Sequence, residues 1–294
     1  MIKAALCAAF FICISHRSLA LQKIATYSYF YTMIRLCLPV FLFTCLVTSV
    51  TAQIRYTSLI IESNKTYNFS ESDILVADTL IMKDSSSIKL NYVKDDNYIR
   101  CKKLVIGKGC RIIGRGDNGR KPKDGGKGYS IEGPCHNGTN GRNGARGGDG
   151  INGNNLFLYT EELVLIGNLS IDLAGGNAAD GGKGGDGGGG SAGTRLCAGG
   201  NGGNGGNGAP GGNGGNSGNL TISCKKCPDL RNELGKRLLA RVYGGLGGLG
   251  GEGGSPGLPG ILATGTSEQD GKHGTHGKNG VDGIPGKNGA INFE

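Results

Sequence analysis

The sequence of 294 residues contains no tryptophan, and only 6% of its residues are aromatic, so a large aromatic core is excluded. Glycine is absent until Gly107, and all 59 glycines lie within the last 188 residues. The chain has only eight prolines, which is few for a collagen triple helix. Its first 52 residues lack acidic side chains altogether. These absences divide the chain into a leader, a glycine-poor part and a glycine-rich part.

The leader, residues 1–52, has the features of a secretion signal. The apolar run Leu36–Val50 follows Met33-Ile34-Arg35 and ends at the small residues before Gln53, as in a signal peptide. A second apolar run, Met1–Ile14, precedes it, so either Met33 is the true start or the chain carries a double signal. Both runs are shorter than the roughly 18–20 apolar residues of a membrane helix. We expect a secreted, extracellular chain without a stable membrane span.

Charge and motifs argue against nucleic-acid binding and catalysis. The net charge of +9 falls to +5 without the leader's four cations, a mild balance that favours only weak attraction to acidic glycans or membranes. The chain has no Ser-His-Asp grouping, no paired carboxylates in a plausible cleft and no phosphate loop. His273 and His276 share a spacing of three, but two histidines without a third ligand do not make a metal site. We expect no enzyme activity, no cofactor, no metal and no nucleic-acid partner.

Residues 53–113 form the β-rich domain of the prediction. Short runs of β-branched and aliphatic residues, such as Leu80–Met82 and Lys103–Ile106, alternate with turn residues and lack helical periodicity. Evenly spaced short strands of this kind suit a stacked β-solenoid or a small sandwich.

Residues 114–294 form the glycine-rich repeat domain, with strands between its glycine-rich segments. Three such segments, 114–153, 175–218 and 244–289, each leave a strand layer and return to one. Each has a glycine-poor middle, so we predict three long hairpins with six legs and three tips. A short amphipathic helix is a further prediction for Asp229–Val242, although Gly235 weakens it.

The legs repeat every three residues, for example Gly-Gly-Asn from Gly199 to Gly218. This period matches an extended left-handed helix with three residues per turn, and faces without Cβ atoms allow neighbouring backbones to exchange hydrogen bonds. The prediction is a mainly β and irregular fold in which a β-solenoid-like or β-layer scaffold bears a six-leg polyglycine-II bundle. Collagen and disorder are the rival interpretations of such a composition.

On this rhythm, residues 114–289 resemble polyglycine-II helix bundle proteins, which include springtail antifreeze proteins and phage tail-fibre adhesins. The springtail resemblance implies six antiparallel legs in two layers. The adhesin resemblance implies that the tip loops recognise a ligand.

The cysteines and sequons fit an exported chain. Six cysteines remain after the leader, an even number that suggests disulfides. Cys135 and Cys197 lie in two tips and bridge if the hairpins are neighbours, while the other four pair locally or across the scaffold. Those four are Cys101, Cys110, Cys224 and Cys227. The candidate glycosylation sites are Asn64, Asn68, Asn137, Asn168 and Asn219.

The function expected from the sequence is a secreted, non-enzymatic structural or adhesive protein that binds an extracellular protein or glycan. Two alternatives stay open, a collagen-like matrix component and an ice-binding protein, although the polar outward residues disfavour an ice-binding face. The candidate contact residues at the tips are Tyr129, Glu132, Arg195, Leu196, Ile261 and Thr266.

Overall fold

The computed structural model describes residues 54–69, 72–262 and 269–294, so the leader and Thr266 lie outside the described residues. The described chain is mainly β, with almost no helix. Its strands are β1 (Ile54–Ile61), β2 (Thr66–Asn68), β3 (Ile74–Met82), β4 (Ser87–Lys89), β5 (Asp96–Ile106), β6 (Cys110–Ile113), β7 (Asn155–Leu165), β8 (Leu169–Asp172), β9 (Leu220–Cys224), β10 (Leu238–Arg241) and β11 (Ile291–Phe293).

The strands form two parallel sheets whose members alternate along the chain. The first sheet has the order β1-β3-β5-β7-β9-β11, and the second has the order β10-β8-β6-β4-β2. Each coil of the chain therefore places one strand in each sheet, and the next coil stacks on it in parallel register. This arrangement is consistent with a β-solenoid-like scaffold.

The core lies between the two sheets and is built from stacked aliphatic side chains. Leu75, Ile99, Leu158 and Ile222 occupy equivalent positions in successive strands of the first sheet and are all buried. Because parallel strands repeat about every 4.8 Å, such a column packs one aliphatic side chain directly on the next. Repeated contacts between aliphatic side chains thus form the core, in place of the large aromatic core that the composition excludes.

Strand pairing in the first sheet is interrupted along one line that crosses four of its strands. One residue is skipped in each of β1, β3, β5 and β7; for example, Ala77 pairs with Cys101 and Thr79 with Lys103. The same skip recurs between β5 and β7, where Cys101 pairs with Thr160 and Lys103 with Glu162. The skipped column contains Thr57, Asp78, Lys102 and Glu161.

All three glycine-rich segments leave from equivalent places in the scaffold. They occupy the connections β6–β7, β8–β9 and β10–β11, each of which runs from the second sheet to the first. The equivalent connection β4–β5 spans only residues 90–95. Since the strands on both sides stay in register, successive segments start and end next to one another.

We call residues 114–128, 175–193 and 244–260 the outgoing legs, and residues 138–153, 199–218 and 271–289 the returning legs. Outgoing legs bond to one another in parallel; for example, Gly184 donates its amide to the Glu252 carbonyl at 2.8 Å. Returning legs do the same, as Gly144 does to Asn207 at 2.9 Å.

Outgoing and returning legs run antiparallel to each other and are also joined by backbone hydrogen bonds. Gly206 of the second returning leg donates to Gly185 at 2.7 Å and accepts from Gly254 at 2.8 Å. These antiparallel bonds recur every third residue along each pair of legs. The second outgoing and second returning legs each have four bonded neighbours, whereas the first outgoing and third returning legs have two.

The structure revises two details of the sequence prediction. Between β9 and β10 only Leu230–Glu233 is helical, as a single 3-10 turn, and Leu238 already belongs to a strand. The helix predicted over Asp229–Val242 is therefore wrong in extent, because Gly235 has a φ of +81° that breaks it. Some strands are also longer than the short runs predicted: Lys103–Ile106 is the end of β5, which has 11 residues, and β7 is equally long.

Candidate functional site

The glycines at the centre of the legs hold neighbouring backbones in contact. A Cβ added to Gly206 would overlap the carbonyl of Arg142, and one added to Gly254 would overlap the carbonyl of Gly185. Each such glycine thus meets two neighbours at once: the Gly206 amide donates to the Gly185 carbonyl, and the absence of a Cβ lets a second carbonyl, that of Arg142, approach closely. The period of three follows from this double requirement, because one residue in each turn faces the same neighbour.

Asparagine and aspartate side chains add a second set of bonds between adjacent legs. Asn140 Oδ1 accepts from the Asn204 amide at 2.8 Å, and Asn204 Oδ1 accepts in turn from the Thr275 amide at 2.8 Å. Sequence reasoning placed these asparagines toward solvent, which is where they lie, but it missed their bonds to the next leg. The sequence did contain a signal for these bonds, because asparagine recurs at solvent-facing positions where serine or lysine would interact with water equally well.

The row of asparagine side chains is interrupted at equivalent positions in two adjacent returning legs. Pro210 replaces asparagine in the second returning leg, and Arg146 occupies the equivalent place in the first. Arginine has no acceptor to offer, and proline has no amide to satisfy. Arg146 bonds instead to Asp149, whose pKa is held below its usual range first by this guanidinium and then by the Asn213 amide.

The tips of the first two hairpins lie together. A disulfide joins Cys135 to Cys197, with a Cα–Cα distance of 6.1 Å. The Cys135 amide also donates to the Ala192 carbonyl at 2.8 Å, and Ser191 Oγ donates to the Ile131 carbonyl at 2.7 Å. These contacts fix the two tips to each other.

The third hairpin reaches the same end through Ile261, whose carbonyl accepts from the Gly193 amide at 3.2 Å. All five described contact candidates are exposed. Their exposed fractions are 93% for Leu196, 70% for Tyr129 and 68% for Ile261, and Arg195 is also exposed. These described candidates therefore combine apolar side chains with one cation, Arg195, and one carboxylate, Glu132.

The other cysteines behave in two different ways. Cys224, the last residue of β9, forms a disulfide with Cys227, with a Cα–Cα distance of 5.5 Å. Cys101 and Cys110, which the sequence placed among the disulfide candidates, are free and buried in the core. Cys101 Sγ lies 3.6 Å from Thr160 Oγ1, and Cys110 Sγ lies 3.3 Å from the Lys83 carbonyl. Burial raises the pKa of Cys101 to about 11, so this thiol stays protonated in the folded chain at neutral pH.

The five sequon asparagines occupy two kinds of environment. Asn64 and Asn68 are exposed in the first coil. The side-chain oxygens of Asn137, Asn168 and Asn219 accept backbone hydrogen bonds from Asn201, Gly109 and Ala290. Glycosylation at these positions stays a prediction.

No described helix has the length and apolar character to cross a bilayer. Within residues 54–69, 72–262 and 269–294, no group of three or more metal-binding side chains converges, and His273 and His276 are both exposed.

Comparisons with known proteins leave the family open. No protein-family model matches the chain, and no curated protein matches it. Among solved structures, a weak similarity links it to the nine polyproline type II helical bundle springtail antifreeze protein from Granisotoma rainieri. The identity is 27%, the match covers 56% of this chain and 92% of that chain, and the TM-score is 0.11. A TM-score this low carries no argument about fold or activity.

Proposed function

We propose that this protein is a secreted, non-enzymatic adhesive or binding protein whose glycine-rich hairpins form a six-leg polyglycine-II bundle and present their tips to an extracellular protein or glycan. The observation that carries this proposal is the tip end itself. Exposed apolar side chains at 68–93% exposure stand on a junction tied by the Cys135–Cys197 disulfide and by backbone hydrogen bonds.

The bundle supports the proposal because it supplies rigidity without a side-chain core. In the second outgoing and second returning legs, one amide of each triplet donates to one neighbouring leg, and the next amide in sequence donates to a different leg. A leg therefore cannot slide along its neighbours without breaking a whole row of backbone hydrogen bonds. Loops that are held on a rigid scaffold lose little conformational entropy on binding. The tips of such a scaffold are therefore suited to recognition.

The intramolecular bonds also distinguish the proposal from a collagen-like component. Collagen assembles from three chains, whereas the bonded legs here belong to one chain. Sedimentation of the secreted protein as a monomer would agree with the proposal, and an obligate trimer would contradict it.

The test is a binding screen of the secreted full chain against immobilised matrix proteins and glycans. Once a ligand is found, Leu196→Ser and Tyr129→Ser should each weaken binding severalfold or more, because exposed aromatic and aliphatic anchors dominate such contacts. Val93→Ser is the matched control, since Val93 is 87% exposed on the scaffold, outside the hairpins. Unchanged binding in both tip variants would refute the role of the tips.

A further inference from the structure

A second surface with the properties of a binding site lies on the β-scaffold, outside the hairpins. It is a groove of about 440 Å³ on the first sheet, along the column of residues that the strand pairing skips. The groove runs across the stacked coils rather than along one strand. Its lining comes from β1, β3, β5, β7 and β9 and from the residues just after β9.

The register of the sheet places most of the groove's partly or fully exposed lining residues in two columns. The first column crosses the strands at Arg55, Val76, Arg100, Tyr159 and Ser223, which pair in sequence from β1 to β9. The second is the skipped column, with Asp78, Lys102 and Glu161, and Lys225 follows at its end. Two coils separate Arg55 from Arg100, which is roughly 10 Å at the usual strand spacing.

The charges of the groove favour an anionic ligand. Lys102 is neutralised by Asp78, to which its Nζ lies at 3.0 Å. Arg55, Arg100 and Lys225 are exposed, and Glu161 is the remaining carboxylate. Guanidinium groups bind carboxylate and sulfate groups through two parallel hydrogen bonds, so the two arginines mark positions for anions at a spacing of two coils.

The remaining chemistry favours a sugar polymer over other polyanions. The Arg100 guanidinium lies 5.5 Å from the Tyr159 ring centre. Two residues earlier on the same two strands, just outside the groove's lining, the rings of Tyr98 and Phe157 stack with their centres 4.8 Å apart. Aromatic surface and hydroxyl groups suit a ring with apolar and polar edges. Glu161 is a hydrogen-bond acceptor, which suits the hydroxyl groups that every ring of a polysaccharide offers as donors.

We propose that this groove binds an extended acidic polysaccharide that carries carboxylate or sulfate groups. Arg55 and Arg100 hold the anionic groups, and Glu161 accepts from hydroxyls between them. The site is separate from the hairpin tips, so it does not depend on the function proposed for them.

The experiment measures binding of the secreted full chain to heparin, to polygalacturonic acid and to neutral dextran. Arg55→Gln and Arg100→Gln should each weaken binding to the acidic polymers about tenfold, as expected for a lost charged hydrogen bond. The double variant Lys278→Gln/Lys287→Gln is the control for net charge, because both lysines are exposed on the third returning leg. It should bind nearly as the parent does. Preference between heparin and polygalacturonic acid distinguishes sulfate from carboxylate.

Glu161→Gln separates this groove from a general basic surface. On a surface that merely attracts polyanions, Glu161→Gln should raise the affinity, because it removes a negative charge. At the proposed site it should instead lower the affinity for the polysaccharide severalfold, because it weakens the acceptor for the sugar hydroxyls. Equal weakening by the lysine control, or stronger polysaccharide binding by Glu161→Gln, would overturn the proposal. So would a preference for single-stranded DNA over both polysaccharides. Retained binding in tip variants such as Leu196→Ser supports a separate site.

Discussion

At the scale of single residues, the glycines of the middle legs are fixed by contact rather than by backbone conformation. Gly206 has no positive φ, yet a Cβ there would overlap the Arg142 carbonyl. Gly206→Ala should therefore destabilise the fold by about 1–3 kcal/mol, the usual cost of overpacking. Thermal unfolding followed by circular dichroism measures this loss.

Gly126→Ala is the matched substitution, because the nearest atom to its added Cβ is Arg142 Cδ at 3.8 Å. It should be neutral or stabilise by roughly 0.4–1 kcal/mol, since alanine restricts the unfolded chain more than glycine does. If the two variants melted alike, steric contact between legs would not explain the glycine repeat.

At the scale of elements, the asparagine rows tie each leg to the next. Asn204→Ala removes the acceptor of the Thr275 amide, so hydrogen exchange of that amide should accelerate while amides of the neighbouring triplets keep their protection. The loss of one such bond should cost about 0.5–1.5 kcal/mol. Site-resolved amide exchange by NMR measures both the local effect and its extent.

Asn204→Asp is the control, because aspartate retains an oxygen at the same place. Exchange at Thr275 should then stay close to that of the parent chain. Equal acceleration in both variants would mean that the side-chain oxygen does not protect the amide.

The elements also show where prediction from sequence succeeds and where it stops. The bounds of the glycine-rich segments could be predicted from composition, because the glycine triplets and the aliphatic runs of the strands occupy separate stretches of the chain. The pairing of strands did not follow, since short aliphatic runs such as Lys103–Ile106 look alike and any of them could neighbour any other. The groove escaped prediction for the same reason: Arg55 and Arg100 are 45 positions apart in sequence and share a column only through register. The buried thiols Cys101 and Cys110 likewise needed the sheet positions that bury them.

At the scale of the whole molecule, the two disulfides close loops of very different length. Cys135–Cys197 has a sequence separation of 62, and Cys224–Cys227 has one of 3. The loop-entropy model gives about 4 kcal/mol for the first and about 2 kcal/mol for the second. The double variant Cys135→Ser/Cys197→Ser should therefore lower the free energy of unfolding more than Cys224→Ser/Cys227→Ser does.

Denaturant unfolding of both double variants, compared with the parent chain, measures the difference. Since Cys135 and Cys197 lie at the tips, the sheets should keep their circular dichroism below the transition. A larger loss in the Cys224 and Cys227 variant would show that the short loop, rather than the joined tips, limits stability.

The parallel stacking of the hairpins has a mechanical consequence. A load applied to the joined tips along the legs acts in shear on all the rows of backbone bonds together, because neighbouring legs are bonded every third residue. Bonds loaded in shear share the force, whereas bonds peeled from one end break in turn. The glycine-rich part is thus stiff along its length and weakest against sideways peeling of an outer leg. A tether pulled along the legs would accordingly pass tension from the tips into the stacked sheets before the hairpins open.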